Sequence, residues 1–279
     1  MRAIDLRHMG REHVICCWEL DGVLIDPGPQ SCEDTLLAAL GDEQPRALLL
    51  THIHFDHAGT AGSLVRRWPD VPVYVHERGA RHLANPKKLV ASVSRLYGED
   101  RMRELWGDIM PVPKANLRVI EGGETGLEGA YRVEYTPGHA SHHVCYLHDD
   151  TGVAFVGDVA GMRIPPSDFT MAPTPPPDID VAAWERSLET VRGWNPKTLA
   201  LTHFGAVDEV GAQLDAVRER LYEQVRLAGE RDLEGFVEAW SARVVAEAGE
   251  AAPAYLQTAP PDHLFAGLQR WRSQQAEVT

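Results

Sequence analysis

Several things are scarce in this chain. None of its 279 residues falls in an apolar run approaching the roughly 20 residues that cross a bilayer. The opening residues Met1-Arg2-Ala3-Ile4-Asp5 lack the apolar core of a secretory signal, so a cytoplasmic location without a membrane partner is expected. Cysteine is sparse: Cys16, Cys17, Cys32 and Cys145 form no Cys-x-x-Cys pair. A chain of this length needs no disulfide staples, and Cys16 and Cys17, inside an apolar run, read as small buried hydrophobes. Positive charge is also short. Lys and Arg number 27 against 41 Asp and Glu, a formal net charge of −14. Nucleic-acid binding draws heavily on cationic contacts, so that balance weighs against such a partner and leaves a small-molecule substrate as the expectation.

What is present is the composition of an ordinary globular protein, 44% hydrophobic and 24% charged. Short apolar runs at 3–6, 14–20 and 23–25 predict strands, the last two joined by the hairpin signal Asp21-Gly22. Ser31 and Asp34 are positioned to cap a helix over 35–40, and 46–50 reads as a strand covered on both faces. A helix is expected over 59–68, ended by Pro69, and a strand at 71–75. Residues 77–111 have helical spacing, with Leu83, Leu89, Val93, Leu96, Tyr97 and Trp106 among the apolar members. Their role is either a lid or dimer face, which would make a homodimer, or ordinary packing. Strands resume at 117–120, 131–135, 143–147 and 153–156. Prolines keep 165–177 extended. Asp180 caps a helix to Val191, a strand follows at 198–201, and helices occupy 210–227, 233–248 and 264–271. Two β-rich halves with helices outside predict a layered α/β sandwich over residues 1–207, with 208–279 a helical C-terminal appendage packed on it.

The chemistry concentrates in Thr51-His52-Ile53-His54-Phe55-Asp56-His57. Four good metal ligands fall within six positions, directly after the strand at 46–50. Imidazoles with carboxylate suit zinc or a neighbouring transition metal. Three later positions follow or end a predicted strand: His139 in Thr136-Pro137-Gly138-His139, Asp158 in Val156-Gly157-Asp158, and His203 in Leu201-Thr202-His203. Strand-end loops on a rigid sheet are where catalytic ligands gather. Of the other histidines, His8, His13, His76, His82, His148 and His263 lack partners at useful spacing and read as surface or satisfied core residues. His142 and His143 read as supports for their neighbours.

In this order the HxHxDH loop, the TPGH loop, the Gly-Asp pair and the late histidine resemble the metallo-β-lactamase-fold hydrolase superfamily over roughly residues 1–207. The resemblance implies a four-layer αββα sandwich with the site at one edge. It also implies that His52, His54 and His139 hold one metal, that Asp56, His57 and His203 hold a second, and that Asp158 bridges them. Spacing agrees: residues i and i+2 of an extended segment project to one side, so His52 and His54 can reach one ion. Seven ligands are too many for one tetrahedral zinc and suit two ions sharing a carboxylate. Two divalent ions are therefore expected, with zinc the leading element and iron or manganese the alternatives. Asp26 resembles a position near the metals in this family and reads as a hydrogen-bonding support, or else as a turn former.

The expected activity is metal-dependent hydrolysis of a small ester, thioester or lactone, with Asp56 and Asp158 at the reaction and activity falling below about pH 6 as the imidazoles protonate. The sequence is similar to the glyoxalase II and lactonase-like branch rather than to true β-lactamases, whose familiar members carry arginine where His57 stands. Val159-Ala160-Gly161-Met162-Arg163 departs from the Thr-Leu-Phe run of glyoxalase II, and lacks the tyrosine of acyl-homoserine lactonases. Persulfide dioxygenases, which use one iron on the same fold, are the rival class. Met162, Phe169 and Met171 are candidates to line the pocket, since the proline-rich loop follows Asp158.

Overall fold

The computed structural model describes residues 1–278, with side chains for all of them except Leu96, Tyr97, Glu277 and Val278. The expected apolar contribution of Leu96 and Tyr97 thus lies outside the described residues. In chain order the first half contains β1 (Arg2–Asp5), β2 (Cys16–Leu20), β3 (Val23–Ile25), α1 (Glu33–Leu40), β4 (Ala47–Leu49), the one-turn α2 (Phe55–Ala58) and α3 (Ala61–Arg67). It continues with β5 (Val73–His76), α4 (Glu77–Ala84), α5 (Lys87–Tyr97), α6 (Glu99–Trp106) and β6 (Leu117–Ile120). The second half has β7 (Tyr131–Tyr135), β8 (Val144–His148), β9 (Val153–Gly157), α7 (Val181–Gly193), β10 (Thr198–Leu201) and β11 (Gly205–Val207). Four helices follow: α8 (Val210–Glu230), α9 (Leu233–Ala248), α10 (Ala252–Thr258) and α11 (Pro261–Val278).

Six strands form one sheet in sequence order β1 to β6, antiparallel through β3 and parallel beyond it. Five form the other, in the order β11-β10-β9-β8-β7. The β2–β3 turn places Asp21 at φ 53° and Gly22 at φ 78°, the two positive angles of a hairpin that follows strand twist.

Alternation along the strands creates the layers. Trp18, Leu20, Ile25 and Leu49 of the first sheet meet Val133, Tyr146 and Phe155 of the second in one buried cluster. Residues of opposite parity, such as Leu24, Leu48, Leu147 and Val156, join a cluster with Leu36, Leu64, Trp184 and Leu188 on the covering helices. The result is the four-layer αββα sandwich, two sheets face to face with helices outside. A Tyr146 hydroxyl donating to the Leu50 carbonyl at 2.9 Å ties the sheets beside the end of β4.

The C-terminal helices share the outer apolar cluster: Phe236, Trp240 and Val244 of α9 and Leu264 and Leu268 of α11 are fully or nearly fully buried. Tyr255 of α10 accepts from the Ile164 amide at 2.7 Å and donates to the Phe169 carbonyl, so this part of the chain holds the loop after β9 in place. Among the described residues no helix is long and apolar enough to cross a membrane.

Several local expectations change. The Ser31 hydroxyl donates to the Leu105 carbonyl at 2.6 Å instead of capping α1, because α6 packs on this turn. The helix expected over 59–68 is α3, which begins only at Ala61 because the one-turn α2 precedes it, and 77–111 divides into three helices, with Gly98 at φ 81° separating α5 from α6. β11 and α10 were not expected from the sequence: a three-residue Gly-Ala-Val strand has no alternation to read, and Pro253 sits in the first turn of its helix.

Truncating Trp240 to alanine should cost about 3–5 kcal/mol of unfolding free energy through loss of a large buried ring. Val245→Ala, on the exposed face of the same helix, should stay within about 0.5 kcal/mol. Urea unfolding of the two variants measures this, and coincident curves would place α9 outside the core.

Candidate metal centre

Each candidate ligand sits where a strand ends. After β4, the backbone is pinned by Asp26, whose Oδ1 accepts the Thr51 amide at 2.8 Å and whose Oδ2 accepts the Thr51 hydroxyl at 2.7 Å. His52 and His54 project from this extended segment, and the single turn of α2 brings Asp56 and His57 round to face them. Two glycines allow the other loops to close in. A Cβ on Gly138 would lie 2.3 Å from the Cα of Trp184, and one on Gly157 would lie 2.5 Å from Thr51 Oγ1 and 2.7 Å from His143 Nε2. Only glycine fits where TPGH crosses α7 and where the Gly-Asp pair turns past His143.

The proton positions follow from the partners. Thr51 Oγ1 gives its one hydrogen to Asp26, so toward His52 Nδ1, 3.1 Å away, it accepts. His139 Nδ1 donates to the Pro173 carbonyl at 2.9 Å. Both rings therefore turn a bare Nε2 inward, and each lies 3.0 Å from His54 Nδ1. Three imidazole nitrogens converge with at most one hydrogen among them. Donors on one face of a tetrahedral zinc, at about 2.0–2.1 Å from the ion, stand about 3.3 Å apart.

A second group lies alongside. His57 Nδ1 donates to Asp26 Oδ2 at 2.8 Å, and His203 Nδ1 donates to the Val14 carbonyl at 2.8 Å. Their Nε2 atoms face Asp158 Oδ1 at 3.1 and 3.5 Å and Asp56 Oδ2 at 3.9 and 3.5 Å. The other oxygen of Asp158, Oδ2, stands 3.3 Å from His139 Nε2 in the first group. One carboxylate thus addresses both trios. His57 Nε2 and Asp158 Oδ1 are buried, and beyond the groups they face in this cluster neither has a hydrogen-bond partner among the described residues. Such atoms are costly to bury unsatisfied, and a cation would satisfy both.

Charge is distributed unevenly. Burial, with His57 and His54 adding to it, holds His52 well below the ordinary histidine range; burial and His139 bring His54 down to about 4. Burial also lowers His139, partly offset by Asp158. Burial pushes His57 and His203 down too, but Asp158 with Asp26 and Asp56 outweighs it at His57, and Asp158 with Asp56 at His203, so both end raised. Asp56 and Asp158 end below the carboxylate range because neighbouring imidazoles outweigh burial. The first trio offers lone pairs; the second offers negative charge that needs a counter-cation.

All seven positions singled out in the sequence, His52, His54, Asp56, His57, His139, Asp158 and His203, come together here. Asp26 is the support expected of it, fully buried with four hydrogen bonds. His143 Nε2 accepts the Asp158 amide at 3.3 Å while its Nδ1 faces Thr136 Oγ1 at 2.9 Å, and His142 stacks on His52. Sequence reasoning missed Thr51 and Thr202, both of which donate to Asp26. A threonine directly precedes His52 and His203 alike, and that repeated pair was the available signal.

A cavity of about 170 Å³ opens over the site. Leu89 and Val93 of α5, Trp106 of α6, Met162 and Pro173 form walls, and residues 258–266 complete them. His263, read from the sequence as a surface or satisfied core residue, lines this cavity. One expectation about its walls is corrected. Phe169 and Met171 do not line it: Phe169 packs against Tyr255 and Trp240, and Met171 is fully buried, paired with Met162.

A family model described as the metallo-beta-lactamase superfamily matches residues 19–203. Over 166 residues the chain is 31% identical to ST1585, a metallo-beta-lactamase fold-containing protein of Sulfurisphaera tokodaii, a match covering 57% of this chain and 60% of that protein. Over 213 residues it is 30% identical to the probable metallo-hydrolase YflN of Bacillus subtilis, covering 65% of this chain and 74% of that one. The crystal structure of ST1585 from Sulfolobus tokodaii superimposes with a TM-score of 0.67 at 24% identity, over 92% of this chain and 93% of that chain, a likeness of fold.

Replacing Asp26 by alanine strands the Thr51, His57 and Thr202 donors in the interior. The metal-free variant should lose about 3–5 kcal/mol in urea unfolding, the cost of breaking a buried charged network. A loss below about 1 kcal/mol would mean that water replaces the carboxylate.

Proposed function

The chain belongs to the metallo-beta-lactamase superfamily, and on that premise we propose that it is a metal-dependent hydrolase with two divalent ions, zinc first among the candidates. Its substrate in this reading is a small ester, thioester or lactone. The observation that carries it is Asp158, with one carboxylate oxygen toward each trio and Oδ1 otherwise unsatisfied. His52, His54 and His139 would hold one ion, Asp56, His57 and His203 the other, and Asp158 both.

Ions so held would lower the pKa of water from 15.7 toward about 7 and would polarise a substrate carbonyl. The chain's own residues supply the rest. Asp26, Thr51 and the Pro173 and Val14 carbonyls keep the protons of the four histidines His52, His57, His139 and His203 on their outer nitrogens, so no ring must turn before reaction. Asp56 is the most exposed acid of the cluster, with 20% side-chain exposure, and its Oδ2 already faces His57 and His203. Its Oδ1 can take the proton of the attacking water and pass it to the leaving oxygen or sulfur. One carbonyl C–O or C–S bond breaks, a C–O bond forms from water, and the products are a carboxylate, an alcohol or thiol, and a proton.

Leu89, Val93, Trp106 and Met162 keep bulk water from the carbonyl and suit an uncharged acyl group. The four buried free thiols support a reducing, cytoplasmic setting, and the charge of −14 supports a small molecule over nucleic acid.

Chelator-treated protein should lose ester hydrolysis and regain it on adding zinc or iron, and elemental analysis should return two ions per chain. One iron with oxygen consumption would instead indicate a dioxygenase. Asp158→Ala should lower turnover more than about 100-fold, beyond the usual effect of a supporting residue. Val245→Ala should match the wild type. Equal rates in the two variants would remove Asp158 from the reaction.

A further inference from the structure

A second cavity opens beside the first. It is a surface groove of about 940 Å³, and it shares His54, Leu89, Val93 and Pro176 with the metal cavity, so the two are continuous. Their linings differ in kind. The metal cavity carries no lysine or arginine. The groove carries five cations, Arg78 and Arg81 on α4, Lys88 and Arg95 on α5, and Arg270 on α11.

Glu77 and Asp178 are the groove's acids, and Asp178 already accepts from the Ser141 hydroxyl. A surplus of three positive charges thus sits next to the reaction site of a chain whose formal charge is −14. Elsewhere more than half of the arginines are paired with carboxylates, as in Arg192 with Asp215 and Arg243 with Glu247. The groove's cations have neutral company: Arg78 lies over the Tyr135 ring, Arg81 donates to His82, and Arg270 donates to the Pro177 carbonyl. No ion pair engages any of the five among the described residues.

We infer that the substrate is bipartite, with an uncharged acyl group over the metal donors and an anionic leaving group, carrying phosphate or carboxylate, seated in the groove of α4, α5 and α11. This rests on the hydrolase reading above. Arginine forks and a lysine point charge are the groups that recognise such anions. None of the five cations lines the metal cavity itself, so their contribution is the same in ground and transition states and belongs to KM rather than kcat. Exposed charges are screened, so the effect weakens as salt rises.

The test uses the metal-loaded full chain and its R81E/K88E variant with S-butyryl thioesters of pantetheine, which is uncharged, phosphopantetheine and glutathione. For a charged thioester, kcat/KM should fall about ten-fold, the equivalent of about 1.4 kcal/mol, through KM alone. The pantetheine thioester should change less than about two-fold. Whichever charged thioester responds identifies phosphate or carboxylate as the anion. If all three change together, or none does, the inference is overturned. If the wild type cleaves none of them, the hydrolase reading fails separately, and calorimetric titration with the free thiols phosphopantetheine and glutathione decides the groove. Binding to the wild type that is lost in R81E/K88E supports it, and no binding to the wild type overturns it.

Discussion

One buried carboxylate organises this end of the molecule. Asp26 follows β3, and its two oxygens take hydrogen bonds from Thr51 after β4, His57 in α2 and Thr202 after β10. The first two strands belong to one sheet and the third to the other, so a single side chain joins both sheets at the edge where the donors gather. Desolvating a carboxylate is costly, and only a full set of donors offsets it. The same bonds that satisfy Asp26 fix the direction of His57 and the segment carrying His52 and His54.

From this anchor the site is held in two tiers. The outer nitrogens of His52, His57, His139 and His203 are bound to a threonine, a carboxylate and two backbone carbonyls, and the inner nitrogens are left bare or charged toward the centre. Like donors crowd at 3.0 Å in the first trio, and opposite charges meet in the second. Repulsion in one and pairing in the other are both tolerable because the sheets beneath are rigid.

Much of this was legible in the sequence because it is local. The HxHxDH run needs only a strand followed by one helical turn, and alternation along 14–25 and 144–156 gives two sheets without knowing their order. What escaped depends on distant pairs. That Ser31 meets Leu105 rather than capping α1, or that Tyr255 clamps Ile164 and Phe169, is set by packing across 74 to 91 residues of chain. That His263 lines the cavity escaped for the same reason: its neighbours in sequence say nothing of a cavity whose other walls come from α5 and α6. The parts played by Thr51 and Thr202 escaped because they exist only once Asp26 lies between them.

The roof over the donors is supplied by segments that contribute no ligand: α5 and α6 on one side, residues 258–266 on the other. Reactivity and selectivity are therefore written in separate parts of the polypeptide. Substitutions among Leu89, Val93, Trp106, Ala259 and Leu264 can reshape which molecules enter while the histidines and aspartates beneath keep their places. A scaffold divided in this way can exchange one clientele for another through changes in its canopy alone.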